Sequence, residues 1–265
     1  MRKAYEKHED VYRLHIKSAA GRAVGIGVSV YVVRGTMIDS GFHRARAAIL
    51  EARAQLRVEG VIVTHWHEDH AGNVATLARQ GVPIAMRAET EVMLRHAPEL
   101  PLYRRLVWGR PPALGTFEPF EAEGFEFLHT PGHSSDHQVV WDTKTGTVFS
   151  GDLWLGVRAR VFHSAEDPYR IVESLRQVAA LGPTRMFDAH RGLVREPVRA
   201  LLAKAEWITE TIGEIERRIG KGHSDREILA GVLGGEELAG FVSYGDYARR
   251  NLVRAVRRRL SLAGD

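Results

Sequence analysis

Six consecutive residues, His65-Trp66-His67-Glu68-Asp69-His70, constrain this chain more than any other feature in it. They follow Val61-Ile62-Val63, a short apolar run that reads as a buried strand. In an extended segment residues i and i+2 point to the same side. His65 and His67 can therefore reach one metal ion where the strand ends. Asp69 and His70 come where the chain turns toward a helix, and they can face a second position. Two-metal sites need ions about 3.5–4 Å apart, which this spacing permits. Composition alone produces His-x-His-x-Asp-His in about one chain in a thousand of this length. The motif therefore outweighs the alternative of a solvated polar loop.

Three later positions extend the pattern. His133 lies in Thr130-Pro131-Gly132-His133-Ser134, where Pro and Gly make a tight turn that can aim the imidazole. Asp152 ends Phe149-Ser150-Gly151-Asp152, just past an apolar strand. His190 lies in Met186-Phe187-Asp188-Ala189-His190, again after a strand. Singly, each reads more readily as structural. Their order and their place after apolar strands give them weight.

Taken together, these residues resemble the metallo-β-lactamase superfamily, of the glyoxalase II-like hydrolase type. The resemblance runs over roughly residues 10–195. It implies an α/β fold, a four-layer αβ/βα sandwich, with a C-terminal helical appendage. The expected division is 1–195 for the catalytic domain and 196–265 for the helical region. The family pattern puts His65, His67 and His133 on a first metal and Asp69, His70 and His190 on a second, with Asp152 bridging. Asp39, in Ile38-Asp39-Ser40-Gly41, matches the family's aspartate after an early strand and reads as orienting a ligand imidazole. Asp69 is the catalytic residue expected to orient the nucleophile and shuttle a proton. Two divalent ions would lower the pKa of a shared water, so that hydroxide attacks near neutral pH.

The implied reaction is hydrolysis of a small-molecule thioester, ester or lactone. The glutathione-binding residues of true glyoxalase II are not recognisable here. One alternative is a phosphodiesterase or RNA nuclease on the same binuclear site. Another is a mononuclear-iron dioxygenase of the persulfide type, which retention of Asp69, His70 and His190 argues against. A non-enzymatic binding protein on the same scaffold fits poorly with an intact ligand set.

The chain contains no cysteine. Disulfides, thiolate ligands, Fe–S clusters and a cysteine nucleophile are excluded. Any metal must be held by His and carboxylates, a donor set that suits zinc and also accepts iron or manganese. The net charge of +4 on 265 residues does not argue for a nucleic-acid partner by itself. The N-terminal residues 1–10 lack the apolar core of a secretory leader, and no apolar run approaches the ~20 residues that cross a bilayer. A cytoplasmic enzyme with a small, anionic substrate and no membrane partner is expected.

Strand signals come in two batches. The first covers Val11–Ile16, 25–33, 36–41, 58–64 and 82–86; the second covers 125–128, 138–141, 147–149 and 186–187. Helices read at 43–56, 73–80 (with Asn73 as cap) and 169–181, so two mixed sheets with helices outside are expected. Residues 90–120, with Pro98, Pro101, Pro111, Pro112 and Pro119, read as helical pieces joined by loops, a candidate lid. The last stretch reads as helices at 198–220, after the capping box Ser224-Asp225-Arg226-Glu227, and at 247–260.

Other residues weigh less. His129 and His137 read as structural or ligand-orienting, and His163 as a loop residue. Glu68 receives no role. Tyr103, Arg104, Arg105, Trp108 and Arg110 read as a solvated loop, or else as a pocket for an anion. Arg249, Arg250, Arg254, Arg257, Arg258 and Arg259 give the last helix a basic face, solvated by default and phosphate-binding as the alternative.

Overall fold

β-Branched and aromatic residues in short apolar runs build two sheets. The computed structural model describes residues 5–96 and 99–263. Pro98 and the first four residues of the N-terminal segment lie outside the described residues.

The first sheet runs in chain order: β1 (Glu6–His8), β2 (Val11–Ile16), β3 (Val28–Val33), β4 (Thr36–Ile38), β5 (Gly60–Ile62) and β6 (Ile84–Ala85). The strands are antiparallel up to β4, and β4, β5 and β6 are parallel. The second sheet comprises β7 (Phe125–His129), β8 (Gln138–Asp142), β9 (Thr147–Phe149), β10 (Arg185–Asp188) and β11 (Gly192–Val194), in the order β11-β10-β9-β8-β7. Only its β9–β10 pair is parallel. Two mixed sheets are therefore present, as the two batches of strand signals imply. The edge strands β1 and β11 are extra. Glu6-Lys7-His8 has no apolar residue and Gly192-Leu193-Val194 only two, so neither gives a strand signal.

The chain forms two compact units. The first comprises the described part of Met1–His129 with Asp136–Asp152 and Thr184–Arg195. It holds both sheets and five helices: α1 (Ala19–Val24), α2 (Arg46–Gln55), α3 (Val74–Ala78), α4 (Ala88–Arg95) and α5 (Leu102–Trp108). Val11, Tyr31, Val33, Ile38 and Ile62 of the first sheet pack with Val140, Phe149 and Phe187 of the second. The Tyr31 ring lies 5.1 Å from that of Phe187. Each such buried side chain contributes about 1.5–3 kcal/mol. Ile49 and Ala52 of α2 and Val74 and Leu77 of α3 join a second core with Val30, Val32 and Val61. A polar clip adds to this. Arg34, in the β3–β4 turn, donates two hydrogen bonds of 2.8 and 2.9 Å to the fully buried carboxylate of Asp142.

The second unit comprises Thr130–Ser135, Leu153–Pro183 and Glu196–Asp265. Its helices are α6 (Pro168–Ala180), α7 (Pro197–Gly220), α8 (Asp225–Leu233), α9 (Leu238–Val242) and α10 (Arg250–Ala263). Asp167 caps α6 by accepting from Tyr169 N–H and Arg170 N–H, with Pro168 in the first turn. The Ser224–Glu227 capping box opens α8. In this division α6 groups with the C-terminal helices. No described helix is long and apolar enough to cross a membrane.

Candidate metal centre

The centre is assembled from the ends of parallel strands. The chain leaves β4 at Asp39, which adopts φ +60°, a conformation Asp tolerates better than most residues. This turns its carboxylate toward the neighbouring end of β5. There it accepts from Thr64 N–H at 2.8 Å and from Thr64 Oγ1 at 2.9 Å. Its Oδ2 also lies 2.8 Å from His70 Nδ1. Ser40 N–H and Oγ both donate to His70 O, so the two loops are laced together. Asn73 is the N-terminal neighbour of α3 but makes no side-chain cap. Its Nδ2 donates instead to Ser40 O and Phe42 O, because the buried carbonyls of that loop need donors.

The structure brings six of the candidate ligands together in the first unit. Donor atoms of His65, His67 and Asp152 lie within 4.8 Å of one another, and so do those of Asp69, His70 and His190. His65 Nε2 and His67 Nδ1 are 3.0 Å apart. Asp152 Oδ1 lies 3.1 Å from His70 Nε2 and 3.2 Å from His190 Nε2, so one carboxylate touches both groups. Asp69 Oδ2 is 3.7 Å from His190 Nε2 and 3.9 Å from His70 Nε2. His133 lies in the second unit, on the 130–135 segment, with its Nδ1 2.7 Å from Glu166 Oε1.

This donor set fits divalent metal. The Thr64 hydroxyl spends its hydrogen on Asp39, so Thr64 Oγ1 accepts from His65 Nδ1 at 3.0 Å. His70 Nδ1 donates to Asp39, and His190 Nδ1 donates to Gly27 O at 2.7 Å. With Nδ1 carrying the hydrogen in each ring, the Nε2 lone pairs of all three turn inward among carboxylates. Buried lone pairs and anions that face one another need a shared cation. The electrostatics point the same way. Burial opposes charge on His190, yet Asp152 and Asp69 push it up to about 9. Burial likewise opposes charge on His70, yet Asp152, Asp39 and Asp69 hold it well above its ordinary range. Burial would raise the Asp152 carboxyl, but His70 and His190 hold it well below the carboxylate range.

His137, which the sequence reads as structural or ligand-orienting, is joined by supports that sequence reading missed. Asp152 N–H donates to Nε2 of the fully buried His137 at 3.1 Å, so His137 carries backbone. Gly151, at φ +50°, leaves no room for a side chain: a Cβ would sit 2.7 Å from His137 Nε2. Asp188 Oδ1 accepts from His190 N–H and Arg191 N–H, an Asx-type turn whose only sequence sign is an Asp two residues before the His. Asp136 Oδ2 accepts from Trp66 N–H and Thr90 Oγ1, both at 2.8 Å. His129 ends β7 exposed, and His163 pairs with Asp246 at 3.2 Å.

Further expectations need correction. Glu68 has a role: it is buried and receives Arg104 Nε and a terminal guanidinium nitrogen at 2.5 and 2.6 Å. Arg104 and Trp108 accordingly do not belong to a solvated loop. Trp108 is buried with its ring 5.1 Å from that of Phe42. A strongly charged sequence can hide a buried pair, because the partner is 36 residues away. The basic last helix is partly committed too: Arg249 pairs with Glu237, Arg257 with Asp225, and Arg259 lies over the Tyr169 ring.

Comparison with known proteins agrees with this geometry. A family described as the Metallo-beta-lactamase superfamily matches residues 23–205. The chain is 32% identical to the Beta-lactamase-like protein 2 homolog of Drosophila melanogaster, over 69% of this chain and 68% of that protein. It is 31% identical to an atrochrysone carboxyl ACP thioesterase of Aspergillus fumigatus, over 63% of this chain but only 52%, about half, of that one. A solved metallo-beta-lactamase family protein of Thermus thermophilus superposes with a TM-score of 0.66 at 17% identity, covering 97% of this chain and 95% of its own. That last likeness speaks for the fold.

Proposed function

The chain belongs to the metallo-beta-lactamase superfamily and is a hydrolase of that family, and from this premise we propose that it cleaves a small-molecule thioester by means of two divalent ions. The observation that carries the reading is Asp152 Oδ1, which stands 3.1 and 3.2 Å from two histidines of one ligand group while Asp152 also belongs to the other. A thioester is favoured over the neighbouring ester and lactone classes by the fungal relative named as a thioesterase.

We assign His65, His67 and His133 to one ion, Asp69, His70 and His190 to the other, and Asp152 to both. Zinc suits these donors, with iron and manganese as the competing ions. When bound, such ions supply a nucleophile from water near neutral pH and polarise an acyl oxygen. Asp69 orients the attacking water and takes its proton. Asp39, Gly27 O and Glu166 hold the Nδ1 atoms of His70, His190 and His133, which keeps each imidazole in one tautomer.

Metal analysis of the purified protein, paired with thioester, lactone and phosphodiester substrates, tests the assignment. Two ions per chain and turnover of the thioester are expected. One ion per chain would remove the binuclear reading, and preferred cleavage of the phosphodiester would replace the substrate class. His67→Ala should lose metal and activity while still folding; full activity in that variant would remove His67 from the site.

A further inference from the structure

The loop that carries the candidate ligands has a second face. His65 and His67 belong to the metal centre, whereas Trp66 and Glu68, interleaved with them in the loop after β5, face a different space. Trp66, Glu68 and Ala71 line a cavity of about 520 Å³, and none of the candidate metal ligands does. That volume lies within the range of small-molecule sites, roughly 300–1,000 Å³.

The cavity wall is divided by chemistry. Val74, Leu94, Leu100 and Leu114 supply apolar surface beside the indole of Trp66. Arg46, Arg79 and Arg110 supply exposed guanidinium groups around it. Among the described residues none of these three arginines has a carboxylate partner. The other charges there are already balanced: Glu68 is neutralised by Arg104, and Arg95 pairs with Glu91 at 2.9 Å. His43 lines the same cavity as Arg46 and Arg79, and burial is the main cause that holds its ring below its ordinary range. Three permanent positive charges thus surround an apolar cleft.

We propose that this cavity is a binding site for an amphiphilic phosphate monoester, separate from the metal centre, with the phosphate held by Arg46, Arg79 and Arg110 and the apolar body against Trp66, Leu94 and Leu114. A phosphate monoester carries close to two negative charges and three acceptor oxygens at neutral pH, which suits several guanidinium forks. A carboxylate brings one charge and two oxygens, and would leave most of the rim unbalanced.

Calorimetric titration of the purified protein with hexyl phosphate tests this, with hexanoate, hexan-1-ol and inorganic phosphate as comparison ligands. Hexyl phosphate should bind most tightly, because only it uses both parts of the cavity. It should also alter Trp66 emission, a change that Trp66→Phe removes. The double variant Arg46→Ala with Arg79→Ala should weaken binding by about tenfold or more while leaving hydrolysis by the metal centre unchanged; both side chains are exposed, so the fold should tolerate their loss. Equal affinity in the double variant would overturn the proposal. So would binding of hexan-1-ol or hexanoate as tight as that of hexyl phosphate. Loss of hexyl phosphate binding on removal of metal by a chelator would move the ligand to the metal centre and overturn it as well.

Discussion

Asp39 Oδ2 stands 2.8 Å from His70 Nδ1, although 31 residues separate them, and Asp39 holds this position in a left-handed backbone conformation. The contact decides which nitrogen of His70 carries the hydrogen, and so which one is available to a metal. Asp39→Asn keeps the backbone, since Asn also tolerates positive φ. Its amide, however, places a donor opposite Nδ1. His70 would then switch tautomer and present a protonated Nε2 to the centre. Metal affinity should fall by about 10–100-fold, read by chelator competition, with little change in the unfolding midpoint. An unchanged affinity would show that Asp39 does not orient His70.

The Glu68–Arg104 pair predicts a stability effect rather than a catalytic one. Both side chains are buried, so removing one takes from the other a close, charge-paired hydrogen-bond partner. Glu68→Gln and Arg104→Met should each cost about 3–5 kcal/mol in urea unfolding. The double variant should recover part of the loss, because it buries neither charge. If each single variant cost less than about 1 kcal/mol, the pair would be behaving as an exposed one.

Asp142 sets an acid limit. Burial alone would raise its carboxyl, but hydrogen bonds from Arg34 and Thr145 Oγ1 more than offset this and hold it below the ordinary range. A depressed folded pKa means the contribution is complete above the unfolded aspartate value, about 3.9. It is lost as pH falls through the lower folded value. Asp142→Asn should therefore destabilise the protein by about 1–3 kcal/mol at pH 7. The gap between variant and parent should close toward pH 3. A gap that stayed constant with pH would rule out the ionised pair as its source.

Gly151 makes the turn that presents Asp152. Gly151→Ala places a Cβ at φ +50°, 2.7 Å from His137 Nε2 and 3.1 Å from Thr64 Cβ. The backbone conformation alone costs about 1–2 kcal/mol, and relief of the clash would displace Asp152. Metal content and thermal midpoint should fall together. A variant with full metal content and only a lower midpoint would mean that the turn adapts without moving the carboxylate.

Legibility divided along the range of the interactions. The strands with four or more alternating or continuous apolar residues, such as β2, β3 and β8, could be read because their period is local. The capping box of α8 could be read for the same reason: its partners are three residues apart. The edge strands β1 and β11 could not, since Glu6-Lys7-His8 and Gly192-Leu193-Val194 lack an apolar run and pairing with a neighbour is what makes them strands. Asn73 misleads because its side chain suits a cap, yet the buried carbonyls of Ser40 and Phe42 compete for it more strongly.

By itself, the sequence determined the chemistry available to the site: nitrogen and oxygen donors only, clustered after a buried strand at a spacing that turns alternate side chains to one side. Tertiary structure alone decided which atoms meet. Asp152 Oδ1 reaches His70 and His190, residues 82 positions before it and 38 after it, only because parallel strands end side by side. Arg104 finds Glu68 in the same way, through packing of α5. Local geometry repeats every two or 3.6 residues and leaves its mark in the sequence. Partners across a sheet are set by register and burial, which no short stretch of residues records.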